Sequence, residues 1–195
     1  MDEEQEIEES IKSSKQKKGI EDTILNAEKV SLSGRDILRL TDNDTKLLPY
    51  EDLERYDSLN QLIPYEGDTL TLLYQTKEDY GHWVVLINRG DNNLEFYDPY
   101  GVKPDEELKH SDFHLRLHRG QITPHLTALI DKDGYNIQYN NKQLQRYLSS
   151  VNTCGRYTAL RVKFKHLSIP QFNALFLQNK CYNPDFWVSA LTLFL

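Results

Sequence analysis

The sequence predicts an α+β domain, a small mixed or antiparallel sheet flanked by helices. Three observations carry this. Residues 83–97 read as a β-hairpin, residues 69–74 as a strand that can lie beside it, and helix starts recur through the second half of the chain. With 195 residues the chain suits one domain with a sizeable core.

Residues 1–19 are polar and charge-segregated, acidic over 2–9 and basic over 12–18. They read as a flexible solvated tail or a frayed helix, set apart from a single domain over residues 20–195. Offered to a partner, such a segment would be a docking arm. Ser33-Gly34-Arg35-Asp36 ahead of Ile37, Leu38 and Leu40 is a capping box that opens a short helix. Residues 50–56 and 58–63 suggest two more short helical pieces, ended by Gly67. Residues 75–80 are a polar connection delivering the chain to His82, a rim for any groove there.

The hairpin organises the rest. Residues 83–87 are an unbroken apolar run rich in β-branched side chains, as in a strand buried on both faces. Residues 89–93, Arg-Gly-Asp-Asn-Asn, are turn chemistry in which Gly and Asn take positive φ. Residues 94–97 return, closed by Pro99 and Gly101. A five-residue loop pairs Asn88 with Leu94 and sets Asp98 opposite Val84, on the same face as His82. A two-residue turn would put His82 and Asp98 on opposite faces. A carboxylate bonded to an imidazole fixes the tautomer of the base in a nucleophilic triad. Either residue alone is ordinary on a surface hairpin.

Residues 102–112 are charged and loop-like, with a helical turn at 105–109. His114-Leu115-Arg116-Leu117-His118 alternates and suggests a short strand. On a helix, His110, His114 and His118 would line one face as metal ligands do. The alternation, Gly120 and the lack of an accompanying Cys or acid oppose this, so no metal or other cofactor is expected. Thr123-Pro124 starts a helix with Pro at its first position, and Gly134 ends it. Residues 135–139 alternate as a strand, and 140–153 form a loop.

Cys154 follows that loop in Thr153-Cys154-Gly155-Arg156, with Tyr157, Leu160 and Phe164 at helical spacing and Thr153 a good N-cap. Its thiol would lie in the first turn, where unpaired N–H groups and the positive dipole end favour a thiolate. Gly155 leaves room for a substrate backbone. Without such a setting, a lone Cys is a small core residue. Arg156, Arg161, Lys163 and Lys165 make this helix basic, either a solvated face or a patch for an acidic activator. Ser168-Ile169-Pro170 and Asn183-Pro184-Asp185 open two more helices. In the last, Phe186, Trp187, Val188, Leu191 and Phe194 are core packing.

Composition excludes several classes. A net charge of -7, from 23 basic and 30 acidic residues, opposes broad nucleic-acid binding. Two cysteines, Cys154 and Cys181, are too few for a disulfide scaffold and suit a reducing compartment. No apolar run of about 18 residues is present to span a membrane. The acidic start, lacking an apolar segment, is not a signal peptide.

Taken together, Gly81-His82-Trp83, then Tyr97-Asp98, then a Gln, then Thr153-Cys154-Gly155-Arg156 at a helix start resemble the adenain-like and SUMO-protease-like (clan CE) cysteine proteases. Within that clan the pattern is similar to the maturation proteases of virophages, such as mavirus, and of Maverick/Polinton elements. The resemblance spans roughly residues 31–195. It implies a papain-like fold of the adenain type, with His82 as base, Asp98 as acid and Cys154 as nucleophile. The family's oxyanion Gln lies about six or seven residues before the Cys, positions held here by Leu148 and Tyr147. Gln145, Gln143 and Gln138 are the nearest candidates. Gln145 is taken, on a loop lengthened through Ser149 and Ser150.

The resemblance further implies peptide cleavage after a small, often Gly, residue in virion or capsid precursor proteins. A narrow cleft beside Gly155 would bind the substrate, with Trp83 either lining that cleft or part of the core. The expected protein is a monomer, free of membranes, in the virion or host cytoplasm. Adenoviral members are stimulated by DNA and a peptide; nothing in this sequence indicates either activator. A deconjugating protease for ubiquitin-like modifiers shares the triad and would add a large acidic or apolar exosite. A non-catalytic binding module would keep the fold without needing the three reactive residues.

Overall fold

The hairpin forms in the register that its turn residues predict. Strands β3 (Tyr80–Asn88) and β4 (Asn93–Tyr97) pair antiparallel, with Asn88 opposite Leu94 and Val85 opposite Tyr97. Gly90, Asp91 and Asn92 all take the left-handed conformation in the turn. The computed structural model describes residues 3–77, 80–110, 112–178 and 180–195, with side chains from Ser13 onward except Ser14, Lys77 and His110.

Around the hairpin the chain builds a five-stranded mixed sheet in the order β1-β2-β3-β4-β5, so the fold is α+β. β2 (Thr69–Lys77) runs antiparallel to β3, while β1 (Lys46–Pro49) is parallel to β2 and β5 (Asn136–Tyr139) parallel to β4. Residues 75–77, read as a connection, belong to β2, and Tyr80 and Gly81 belong to β3. Ladder pairing continues past a register shift between Gln75 and Lys77, because backbone bonding at a sheet end is indifferent to side-chain polarity. Glu78 and Asp79 of that expected rim lie outside the described residues.

Strand alternation divides the core. Val84, Leu86, Leu94 and Phe96 face the 3-10 turns Tyr50–Arg55 and Leu59–Gln61 and helix α4 (His125–Asp133). Val85, Ile87 and Tyr97 face α5 (Cys154–Lys163), α6 (Ile169–Leu177) and α7 (Pro184–Leu193). Helix α2 (Gly34–Leu40) starts on the expected capping box, in which the Asp36 N–H donates to Ser33 Oγ and the Ser33 N–H to the Asp36 carboxylate. Further capping boxes, Ser58 with Gln61 and Ser168 with Gln171, open the 3-10 turn Leu59–Gln61 and α6.

Residues 3–27 form helix α1 (Glu3–Ala27). It contacts α7, and Ile24 and Ala27 near its end are buried, while Ser13 and residues 15–20 are exposed. Helix α3 (Phe113–His118) replaces the expected strand at 114–118. The Asp112 carboxylate accepts from the N–H groups of His114 and Leu115 at 2.9 and 3.1 Å, and that cap decides the local structure. Leu115 and Leu117 are exposed, so the alternation marked no buried face. α4 begins one residue later than expected, with Pro124 as its N-cap, and ends on left-handed Gly134. In α7, Phe186 and Val188 are buried, but Leu191 is partly exposed and Phe194, beyond the helix end, is 74% exposed.

The solvated basic face expected on α5 is not there. Every residue from Cys154 to Val162 is buried. Arg161, fully buried, donates from Nε and Nη2 to the Glu95 carboxylate at 2.6 and 2.9 Å and to the Phe164 and Leu167 carbonyls. Arg156 donates to Thr192 Oγ1 and the Ala27 carbonyl. Lys163 and Lys165 pair with Asp42 and Asp44. Apart from the Phe164 and Leu167 carbonyls these partners lie far away in sequence, so no local pattern distinguished paired arginines from solvated ones. Arg156 and Arg161 are thus interior side chains rather than a surface patch. Among the described residues, no helix is long and apolar enough to cross a membrane.

Candidate active site

The site begins at Gly81. A Cβ there would meet the Tyr74 carbonyl oxygen at 1.9 Å, so only glycine lets β2 close against the start of β3. The next residue, His82, is buried, and its Nε2 stands 2.9 Å from Asp98 Oδ1. That same oxygen accepts the Tyr100 N–H at 2.7 Å. The Asp98-Pro99-Tyr100-Gly101 turn closes with the Gly101 N–H on the Asp98 carbonyl. Gly101 has φ +75°, and a Cβ on it would lie 2.6 Å from the Lys142 backbone. Asn140 Nδ2 donates to the Asp98 carbonyl at 2.7 Å, tying the loop of residues 140–153 to this turn.

Cys154 opens α5 and is 8% exposed, packed with Ile37, Leu73, Trp83 and Ala159. Its side chain interacts with the His82 ring. Since Nε2 serves Asp98, Nδ1 is the ring nitrogen left for the thiol. Burial alone would push the His82 imidazolium down. The charge and hydrogen bond of Asp98, then Cys154 and Glu107, outweigh it and hold the ring well above its ordinary range. Thr153 occupies the N-cap position, but its backbone is already helical and its hydroxyl makes no cap bond. It donates instead to Asp185 Oδ1 at 2.5 Å.

Of the three candidate glutamines, the structure brings Gln145 to this site. It is buried, and its Nε2 donates to the Tyr100 hydroxyl at 3.2 Å and the Val151 carbonyl at 3.3 Å. The Tyr100 ring stacks on His82, centroids 4.4 Å apart, and Tyr147 stacks on Tyr100 at 4.2 Å. Gln143 is exposed, its amide turned to the Gln145 carbonyl. Gln138, also exposed on β5, lines a different cavity with Arg89, Glu95 and His166.

Several residues of this arrangement were not read from the sequence. The loop holding Gln145 is pinned at both sides. The N–H groups of Leu144 and Gln145 donate to the Pro99 carbonyl. Arg146 donates to Asp185 of α7 at 2.9 Å and to Glu28 at 2.6 Å. Asn140 also joins Asn173 of α6. Glu107, from the 3-10 turn Glu106–His110, brings a second carboxylate: a ring nitrogen of His82 and one oxygen each of Asp98 and Glu107 all lie within 4.8 Å of one another. The available signals were spacings alone, Tyr100 two residues after Asp98 and Tyr147 two after Gln145.

Trp83 and Gly155 meet each other. A Cβ on Gly155 would lie 3.0 Å from Leu32 and 3.2 Å from the Trp83 ring, so the space beside this glycine holds the chain's own side chains rather than an opening. Trp83 Nε1 donates to the Leu32 carbonyl, and its ring edges a cavity of about 440 Å³ with Gly34, Leu47, Leu48 and Leu73.

Cys154 is buried and Cys181 exposed. Access alone would make Cys181 react first, whereas proton transfer from Cys154 to His82 would put Cys154 first. An ordinary thiol near neutral pH is only a few per cent thiolate. At pH 6.5, iodoacetamide should therefore label Cys154 about tenfold faster than Cys181, and His82→Ala should remove the advantage. Peptide mapping of the labelled protein reads this directly; equal labelling would mean the thiol is not activated.

Fold and site together define an α+β domain in which a cysteine, a histidine and an aspartate meet where a helix starts and a hairpin ends. No family model matches the chain. A curated relative, the uncharacterized protein V9 of Sputnik virophage, is 35% identical over 171 residues, covering 85% of this chain and 96% of its own length. The chain belongs to the family of that virophage protein. Among solved structures, the crystal structure of the ASFV pS273R protease aligns with a TM-score of 0.45 at 16% identity, covering 94% of this chain and 78% of its own. A selenomethionine form of the same protease aligns with a TM-score of 0.45 at 13% identity, over 86% and 68%.

Proposed function

We propose that this protein is a cysteine endopeptidase that processes virion or capsid precursor proteins, cutting after small, Gly-type residues. The observation that carries the reading is the buried His82–Asp98 pair, 2.9 Å apart, with the buried Cys154 side chain interacting with the same ring. The virophage source of the relative agrees with a viral substrate.

In this mechanism His82 Nδ1 takes the Cys154 proton, giving a thiolate–imidazolium pair. The thiolate attacks the peptide carbonyl carbon, and the carbon–oxygen π pair moves onto oxygen. The oxyanion is held by the Cys154 N–H and the Gln145 amide. His82 then gives its proton to the leaving amine as the C–N bond breaks, leaving a thioester. Water, deprotonated by His82, releases the acid and regenerates the thiolate. Asp98 orients the ring and supports its charge. The protein acts as a monomer in the virion or host cytoplasm.

The Gln145 amide makes long bonds of 3.2 and 3.3 Å, which an oxyanion can replace. Gln145→Ala should lower kcat by roughly 10²-fold with little change in KM, because the bond is made mainly in the transition state. Gln143→Ala and Gln138→Ala should be mild. A Gln145→Ala variant with raised KM and unchanged kcat would place the amide in substrate binding instead.

The function itself is tested by incubating the protein with virophage capsid precursors and mapping new termini by mass spectrometry, with Cys154→Ala as the control. New termini after Gly-type residues, absent from the control, are the expected result. Precursors left intact by the parent protein would reject the proposal.

A further inference from the structure

We propose that Glu107 is a positioning residue of this site, a second carboxylate that holds the His82 imidazolium in place alongside Asp98. It reaches the site from an element outside both the hairpin and α5. The turn Glu106–His110 is anchored by Leu108, buried in the core on the α4 side of the sheet. From there a Glu107 oxygen comes within 4.8 Å of both a His82 ring nitrogen and an Asp98 oxygen.

Two carboxylates so close repel one another, and a cation facing both offsets the repulsion. His82 is placed to be that cation. Asp98 Oδ1 holds the ring and the Tyr100 N–H, while Oδ2 is buried and makes no hydrogen bond among the described residues. The charge on this carboxylate is thus met from one side, and an imidazolium between two acids gains from both.

The other titratable groups facing His82 supply no competing positive charge. Cys154 comes from α5. Tyr100 stacks on the ring with Tyr147 beyond it, and Tyr74 of β2 stands opposite His82 with its hydroxyl near Asp105. Burial pushes all three phenols up, so they stay neutral.

The inference rests on the thiolate–imidazolium reading of Cys154 and His82, and the experiment keeps the two apart. Histidine labelled with carbon-13 gives six ring signals to titrate by NMR, one for each histidine of the chain, and His82→Gln identifies that of His82. Removing a negative charge disfavours the imidazolium. In Glu107→Gln, His82 should therefore titrate about one pH unit below its midpoint in the parent protein. Glu107→Asp, which retains the charge one methylene further back, should fall between them. A midpoint unmoved in Glu107→Gln, even with a lowered melting temperature, would show a merely structural side chain and overturn the inference. Iodoacetamide labelling of Cys154 in the parent protein at acidic pH reports on the ion pair without involving Glu107. Absence of that labelling would overturn the underlying reading and this inference with it.

Discussion

Cys154→Ala should remove peptide cleavage while leaving the fold intact. The thiol is the atom that bonds to substrate in the proposed mechanism, and a methyl group cannot form the thioester. What remains is the acceleration given by substrate binding and the oxyanion donors, so kcat/KM should fall on the order of 10⁵-fold. The fold has little reason to respond. Cys154 packs among Ile37, Leu73, Trp83 and Ala159, and the substitution removes one sulfur from that cluster. A cost of about 1 kcal/mol is the scale for such a change. At this chain length that lowers the melting temperature by about 2–4 °C. Cleavage of a mapped substrate, measured beside a thermal melt, separates the two effects. A folded variant that retains a few per cent of parent activity would rule out covalent catalysis through Cys154.

Arg161→Ala should be the most destabilising of the single substitutions considered. The guanidinium is fully buried and meets the Glu95 carboxylate with two bonds, as well as the carbonyls of Phe164 and Leu167. It also lies over the Phe172 ring at 5.0 Å. Removing it leaves a buried carboxylate supported by Arg89 alone, while the Phe164 carbonyl keeps the Leu167 N–H and the Leu167 carbonyl keeps Arg89. Breaking one side of a buried pair costs about 3–5 kcal/mol, which corresponds to a fall in melting temperature of roughly 10 °C. Much of that cost is the uncompensated charge rather than the worth of the pair. Arg161→Met combined with Glu95→Leu should therefore recover most of the loss. Urea denaturation of the two singles and the double makes the comparison. A loss below about 1 kcal/mol for Arg161→Ala would mean the carboxylate finds water or another cation.

These two residues sit on one helix, and they differed in how legible they were. Cys154 was marked by its neighbours in sequence, a helix start with Gly155 after it. Arg161 carried the wrong local message. Together with Arg156, Lys163 and Lys165 it spelled a solvated basic face, because its partner Glu95 lies on a strand on the far side of the hairpin in sequence. Periodicity reports which side chains are apolar, and it cannot report that a charge will be neutralised by a residue brought alongside only by folding.

The sequence by itself determined the hairpin, its register and therefore the meeting of His82 with Asp98. Turn residues and strand parity are local, and a register slip would send every buried side chain of β3 to the wrong face. It also determined the helix starts at Ser33 and Ser168, whose capping partners lie three residues away. Only the tertiary structure decided the rest. It set which glutamine reaches the site, because the loop of residues 140–153 takes its path from Arg146 bridging Asp185 and Glu28. It turned residues 114–118 into a helix through the Asp112 cap, filled the space beside Gly155 with Trp83, and brought Glu107 to His82 and Asp98. Each of those outcomes rests on contact between groups distant in the chain or on a choice between two locally allowed conformations, and the energies that settle such choices exist only once the elements have packed.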